Sequence, residues 1–139
     1  MIEFNYQNDF EPVEELVYSK WLEEVAISES QTIGELSYVF CSDGFLLDIN
    51  KQFLGHDTYT DIVTFDYCKD GLINGEVYIS TDRIAENAVL YDVSFKNELH
   101  RVMAHGLLHL MGYGDKSEED IVAMRLKESE KMNMFHVKQ

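Results

Sequence analysis

His105 and His109 stand four residues apart, and Asp115 follows six residues after the second histidine. On an α-helix, residues four apart share a face, with Cβ atoms about 6 Å apart. Two imidazoles so placed can aim at one ion, with metal–nitrogen bonds near 2 Å. Gly112 is where such a helix can stop, because glycine tolerates the left-handed conformation of a C-terminal cap. Tyr113 and Gly114 then swing the chain back, and that return can bring Asp115 to the third corner of a site. Three protein ligands with an open fourth position form a catalytic pattern, whereas structural zinc sites are usually closed by four. One ion is expected there, Zn2+ or another transition metal. Two histidines at this spacing also occur as an ordinary, partly exposed pair. The glycine-ended helix and the acid at the tenth place weigh for the metal.

The run "HGLLHLMGYGD" (105–115) follows the spacing H-E-x-x-H-x-x-G-x-x-H, the zinc ladder of metzincin proteases. In that ladder the Glu is the general base. Here Gly106 takes its place, and Asp115 stands where the third histidine would be. Peptide hydrolysis needs that base and a proton for the leaving amine. Phosphodiester cleavage asks less, since a metal or cation can stabilise the leaving alkoxide. RNA also carries its own 2′-OH nucleophile. The missing Glu therefore lowers the case for a peptidase and leaves RNA cleavage open.

These residues need elements to position them. "MIEFNYQ" alternates Ile2, Phe4 and Tyr6 and reads as a strand. From Pro12, suited to a first helical turn, to about Ser28, an apolar stripe of Val13, Leu16, Val17, Trp21 and Val25 predicts an amphipathic helix. "IGELSYVFCSD" is a second strand. Asp43 can cap a short helix carrying Leu46, Leu47 and Phe53, with Gly55 at its end. "DIVTFDY" is a third strand. Two turn signals, Asp70-Gly71 and Asn74-Gly75, precede the fourth, "EVYIS", and a hairpin joins the last two strands. Helices follow near 82–91, from about Ser94 to Met111, and from about Glu118 to Met134. Ser117 to Asp120 reads as a capping box. The expected fold is α+β: about four strands in a mixed sheet packed against helices, with a zincin-like metal helix at the centre.

The 139 residues suit a single domain spanning 1–139. No apolar run nears a membrane span, and the N-terminus lacks the pattern of a signal peptide, so a cytoplasmic protein without a membrane partner is expected. Cys41 and Cys68 show no metal or redox spacing. Each is expected to be a buried free thiol, an occasional disulfide between them being the alternative. The net charge of −15 argues against loose electrostatic capture of nucleic acid, yet leaves it open as a substrate if cations cluster or a metal supplies local charge.

"HGLLHLMGYGD" also resembles the H-G-x-L-H-L-x-G-Y-D-H signature of the YbeY family, the bacterial rRNA maturation factors. "NKQFLGHDTYTDIVTFDY" (50–67) is similar to that family's N-x-x-Y-R…P-T-D-V-L-S-F block, "GEVYIS" to its G-D-I-x-I-S strand, and Met124 with Glu128 to a later M-x-x-x-E. The resemblance implies a zinc-dependent endoribonuclease acting on single-stranded RNA, in 16S rRNA 3′-end maturation and ribosome quality control, with no DNA substrate. It implies His105 and His109 as ligands and puts Asp115 at the third histidine position. Asp in place of a neutral His lowers the site's charge by one, which weakens its Lewis acidity and favours harder ions such as manganese.

The family arginine of the N-x-x-Y-R block falls on Leu54, which cannot pair with a phosphate. His56 is the candidate replacement, as phosphate ligand or proton carrier, against the plainer reading of an exposed loop histidine. Thr60-Asp61 reads as a side-chain turn, although the resemblance puts these residues at the edge of the cleft. Glu128 interrupts the apolar stripe of Ile121, Met124, Met132 and Phe135, so it is either paired with a ligand histidine or Arg101, or it snorkels to the surface. Two other functions stay open: hydrolysis of another substrate such as peptides, and a non-catalytic metal-binding assembly factor. A ribosomal protein with a basic surface would complement so acidic a chain.

Overall fold

The structure is a computed structural model that describes residues 1–56 and 58–137. In chain order its elements are β1 (Ile2–Tyr6), α1 (Glu15–Ser28), β2 (Thr32–Cys41), α2 (Asp43–Leu54), β3 (Ile62–Asp66), β4 (Leu72–Ser80), α3 (Thr81–Leu90), α4 (Phe95–Leu110) and α5 (Glu118–Val137). The four strands form one mixed sheet in the order β1-β2-β4-β3. β1 and β4 pair parallel to β2, whereas β3 pairs antiparallel to β4 as the expected hairpin.

Alternation explains the sheet. Ile73, Val77 and Ile79 of β4, with Leu36, Tyr38 and Phe40 of β2, point to one face and are fully buried. α1 and α4 cover that face. Cys41 and Val63 point to the other, where Leu46 of α2 meets them in a smaller cluster. α4 lies at the centre, packed on the sheet and flanked by α3 and α5, with Leu99, Val102, Met103 and Leu107 buried. Burying each such side chain contributes about 1.5–3 kcal/mol. The Tyr38 hydroxyl donates to the Met103 carbonyl at 2.9 Å and ties α4 to β2.

Gly106 decides how close that packing is. A Cβ there would stand 2.8 Å from Val77 Cγ1 and 2.9 Å from Ile62 Cδ1. Position 106 therefore faces the sheet, and only glycine lets the helix sit this low. At the helix end the φ of Gly112 is 106°, the left-handed conformation anticipated for the stop.

Several sequence expectations need correction. α1 starts at Glu15, leaving Pro12 outside it, and its buried face is Tyr18, Trp21, Leu22, Val25 and Ala26. Leu16 is 89% exposed, and Val17 is exposed too. The true stripe runs one phase later, because Trp21 and Val25 fit both phases and Tyr18 with Leu22 completes the buried one. The cap of α2 is Ser42, whose hydroxyl accepts from the Phe45 amide. Asp43 instead accepts from Ser80 and Arg83. Gly55 does end α2, at a φ of 70°. Phe53, expected on the apolar side, is exposed.

The hairpin turn is at Asp70-Gly71, both with positive φ, while Asn74-Gly75 lies inside β4. There Asn74 caps a neighbour, its side chain accepting from the Glu35 amide. Both cysteines are free, but only Cys41 is buried; Cys68 is half-buried at the end of α4. Ile121, counted in the stripe of α5, is exposed. The buried line there is Met124, Glu128, Lys131 and Phe135.

Candidate metal centre and its cleft

α4 presents His105 and His109 on one face, with ring centroids 4.5 Å apart and planes at 85°. The loop after Gly112 brings Asp115 up to them. Asp115 Oδ2 lies 3.2 Å from His109 Nε2 and 3.7 Å from His105 Nε2. One donor atom from each of the three residues falls within 4.8 Å of the others.

The orientation of each ring is set from behind. His109 Nδ1 lies 2.9 Å from the Tyr113 carbonyl, which can only accept, so Nδ1 carries the proton. His105 Nδ1 donates to Glu128 Oε2 at 2.6 Å. In each neutral ring this leaves Nε2 as a lone pair aimed at the Asp115 carboxylate. Three acceptors thus converge on one point. Ligands about 2.05 Å from a tetrahedral ion would be about 3.3 Å apart, and Asp115 Oδ2 stands 3.2 and 3.7 Å from the two histidine nitrogens. The donor set fits a cation, and the hydrogen bonds behind the histidines are those that orient metal ligands.

Charge is layered behind the two histidines. Glu128 is 2% exposed, and its second oxygen accepts from Arg101 at 3.3 Å and from Arg125 at 3.1 Å. Arg101 also grips Glu98, itself buried, through Nε at 3.0 Å and Nη2 at 2.8 Å. Burial would raise the Glu128 carboxyl, but the bond from His105 and the Arg101 charge hold it below the usual carboxylate range. Burial likewise opposes the Arg101 charge, and Glu98 and Glu128 outweigh it. Glu128 is thus paired with both partners proposed from the sequence.

A cleft of about 680 Å3 opens in front of the cluster, within the range of ligand sites. Its walls come from α2, His56, residues 58–61, β3, α3, α4, Asp115 and Arg125 of α5. Leu54 and His56 both line it, and His56 is exposed on its wall, apart from the three convergent residues. Asp61 belongs here too. Thr60 Oγ1 does make a local bond, to the Ile62 carbonyl. The Asp61 carboxylate, however, faces Arg101 at 3.8 Å, and burial pushes its pKa up despite that charge. That carboxylate also accepts from its own backbone amide, as the side-chain-turn reading expects, so Asp61 serves both the turn and the cleft wall.

Sequence reasoning missed the Tyr113 carbonyl behind His109, for which side-chain chemistry gives no signal. It also missed Tyr59 and Tyr91, half-exposed aromatic rings on the cleft wall. Their spacing carries no pattern, because they come from different elements.

Comparison with known proteins agrees with this architecture. The family model described as Endoribonuclease YbeY matches residues 3–136. A protein named Endoribonuclease YbeY from Flavobacterium psychrophilum is 52% identical over 139 residues, covering all of this chain and 99% of that one. Its namesake from Flavobacterium johnsoniae is 48% identical over the full length of both. A protein of Thermotoga maritima whose structure was solved in solution superposes with a TM-score of 0.74 at 26% identity, covering 99% of this chain and 91% of that one.

Proposed function

We propose, from the premise that the chain belongs to the Endoribonuclease YbeY family, that it is a metal-dependent endoribonuclease cutting single-stranded RNA. Its process is the maturation of the 16S rRNA 3′ end and ribosome quality control, in the cytoplasm, with the whole of residues 1–139 as one working domain. The observation that carries the reading is the convergence of His105 Nε2, His109 Nε2 and Asp115 Oδ2 beside a large cleft, each imidazole tethered through Nδ1.

These three atoms would hold one ion, Zn2+ in the first instance. Such an ion, when bound, lowers the pKa of a water and stabilises charge on a phosphoryl oxygen. The chain's own residues supply orientation and charge. Glu128 and the Tyr113 carbonyl fix both rings in the tautomer that presents Nε2. Arg101, paired with Glu98 and Glu128, offsets their buried charge behind the histidines. His56 is the proposed proton carrier or phosphate ligand on the wall near Leu54.

Position 106 faces Val77 and Ile62, so no general base can enter the cleft from it, which weighs against peptide hydrolysis. The −15 charge favours delivery to RNA through a basic ribosomal protein. No helix among the described residues is long and apolar enough to cross a membrane.

The test is to incubate metal-replete protein with single-stranded RNA, with and without chelator, beside His109→Ala. Chelator-sensitive cleavage that falls about a hundredfold or more in the variant is expected. Cleavage of peptides instead, or metal binding with no turnover of RNA, would overturn the reading.

A further inference from the structure

Two clefts meet at His105 and Asp115, two of the three convergent residues. Beside the large one lies a second, of about 240 Å3, walled by Ile121 and Met124 of α5. His105, Asp115 and Arg125 line both. Among the described residues, Arg125 is the cation that lines both clefts, beside His105 and Asp115.

The cations of the large cleft are Arg101 and Arg125 among the described residues, and they differ in what they can offer. Arg101 is committed to Glu98 on two nitrogens, to Glu128 and to Asp61, and its side chain is 19% exposed. Arg125 has a 59% exposed side chain and, among the described residues, one bond, from Nη1 to Glu128 Oε1. That bond fixes the guanidinium beside His105, because the other oxygen of Glu128 holds the His105 ring. The rest of the guanidinium fork is left for the cleft, and a fork of N–H donors matches a phosphate. Across the cleft Leu54 offers no charge.

We propose that Arg125 is a positioning residue that holds the backbone phosphate neighbouring the one to be cut, at the junction of the two clefts. The assignment rests on the RNA reading above. It differs from an ordinary ion pair at i, i+3 on a helix surface, which would leave RNA affinity unaffected.

The experiment uses the metal-replete full chain and a fluorescently labelled single-stranded RNA oligonucleotide. Wild type, Arg125→Gln and Arg125→Lys are compared for KM, kcat and the salt dependence of binding. Arg125→Gln is expected to raise KM about five- to tenfold, with kcat within about twofold. The slope of log affinity against log salt should fall by about 0.7, one phosphate contact on a single strand. Arg125→Lys keeps the charge and loses the fork, so it should restore the salt slope and only part of the affinity, and thermal midpoint and metal content should match wild type in both variants. Unchanged KM and salt slope in Arg125→Gln, beside an active wild type, overturns the assignment alone. Equal loss in both variants together with loss of metal also overturns it, by assigning Arg125 a structural role. A wild-type chain that neither binds nor cuts the oligonucleotide sinks the RNA reading and the assignment with it.

Discussion

Glu128 and Lys131 lie one turn apart on the buried face of α5, at 2% and 1% exposure, and each faces a different part of the molecule. Glu128 looks toward α4, where it meets His105, Arg101 and Arg125. Lys131 looks toward the end of α1. Its Nζ donates to Ser28 Oγ at 2.8 Å, to Glu29 Oε2 at 2.7 Å and to Glu130 Oε2 at 2.7 Å. A cation suits that place, because the carbonyls at a helix C-terminus carry partial negative charge. Both charges are buried and satisfied, yet one group orients the His105 ring and the other fastens two helices. Burial of a charge is therefore no guide to function until its partners are known.

Tyr113 joins the two regions. Its carbonyl accepts from His109, while its hydroxyl donates to Glu29 Oε1 at 2.7 Å. The loop carrying Asp115 is thereby anchored to the structural cluster, though among the described residues the two clusters share no side chain.

The sharpest division is expected from Glu128→Ala. It takes one carboxylate from Arg101, leaving Glu98 and Asp61, and unties His105, so unfolding free energy should fall by about 3 kcal/mol, and metal affinity should fall about 10–100-fold. Chemical denaturation and a zinc competition assay read the two effects separately. Lys131→Met keeps most of the volume and removes the fastener. A smaller loss of about 2 kcal/mol is expected, with metal affinity unchanged within about twofold. If Lys131→Met weakened the metal as much as Glu128→Ala, the two regions would have to be treated as one network.

The gentlest probe is pH. Burial would raise the Glu29 carboxyl, but hydrogen bonds from Lys131, Tyr113 and Lys127 bring it from 4.5 down to about 2. A depressed carboxylate contributes stability that is present above its unfolded pKa and is lost as pH falls through its folded one. Glu29→Gln should cost about 1–2 kcal/mol near neutrality. That difference from wild type should shrink between about pH 4.5 and pH 2, as thermal midpoints across the range would record. A difference that stayed constant over that window would show that the Glu29 charge is not what fastens the helices.

How much of this was legible beforehand follows from the range of each contact. The triad could be read because spacing on one helix and one turn is local geometry, and the structure does bring its donor atoms together. Glu128 drew notice because a carboxylate broke an apolar stripe. Lys131 did not, since "KESEK" looks like a solvated run and nothing local says that the end of α1 covers it. The face of α1 was misjudged because adjacent phases of its pattern both contained Trp21 and Val25. Asn74-Gly75 is a strong turn signal, overridden by the long pairing of β4 with β2. The cleft itself is assembled from several elements, so Asp61, Tyr59 and Tyr91 became site residues only in the folded chain.

Gly106 has a consequence for what this scaffold can become. A carboxylate grafted there to imitate a peptidase would collide with Val77 and Ile62 before it met any substrate. One amino-acid exchange is the short step between the two sequence signatures, and here it ends in a broken core. A lineage starting from this packing would reach peptidase chemistry by lifting a helix off its sheet.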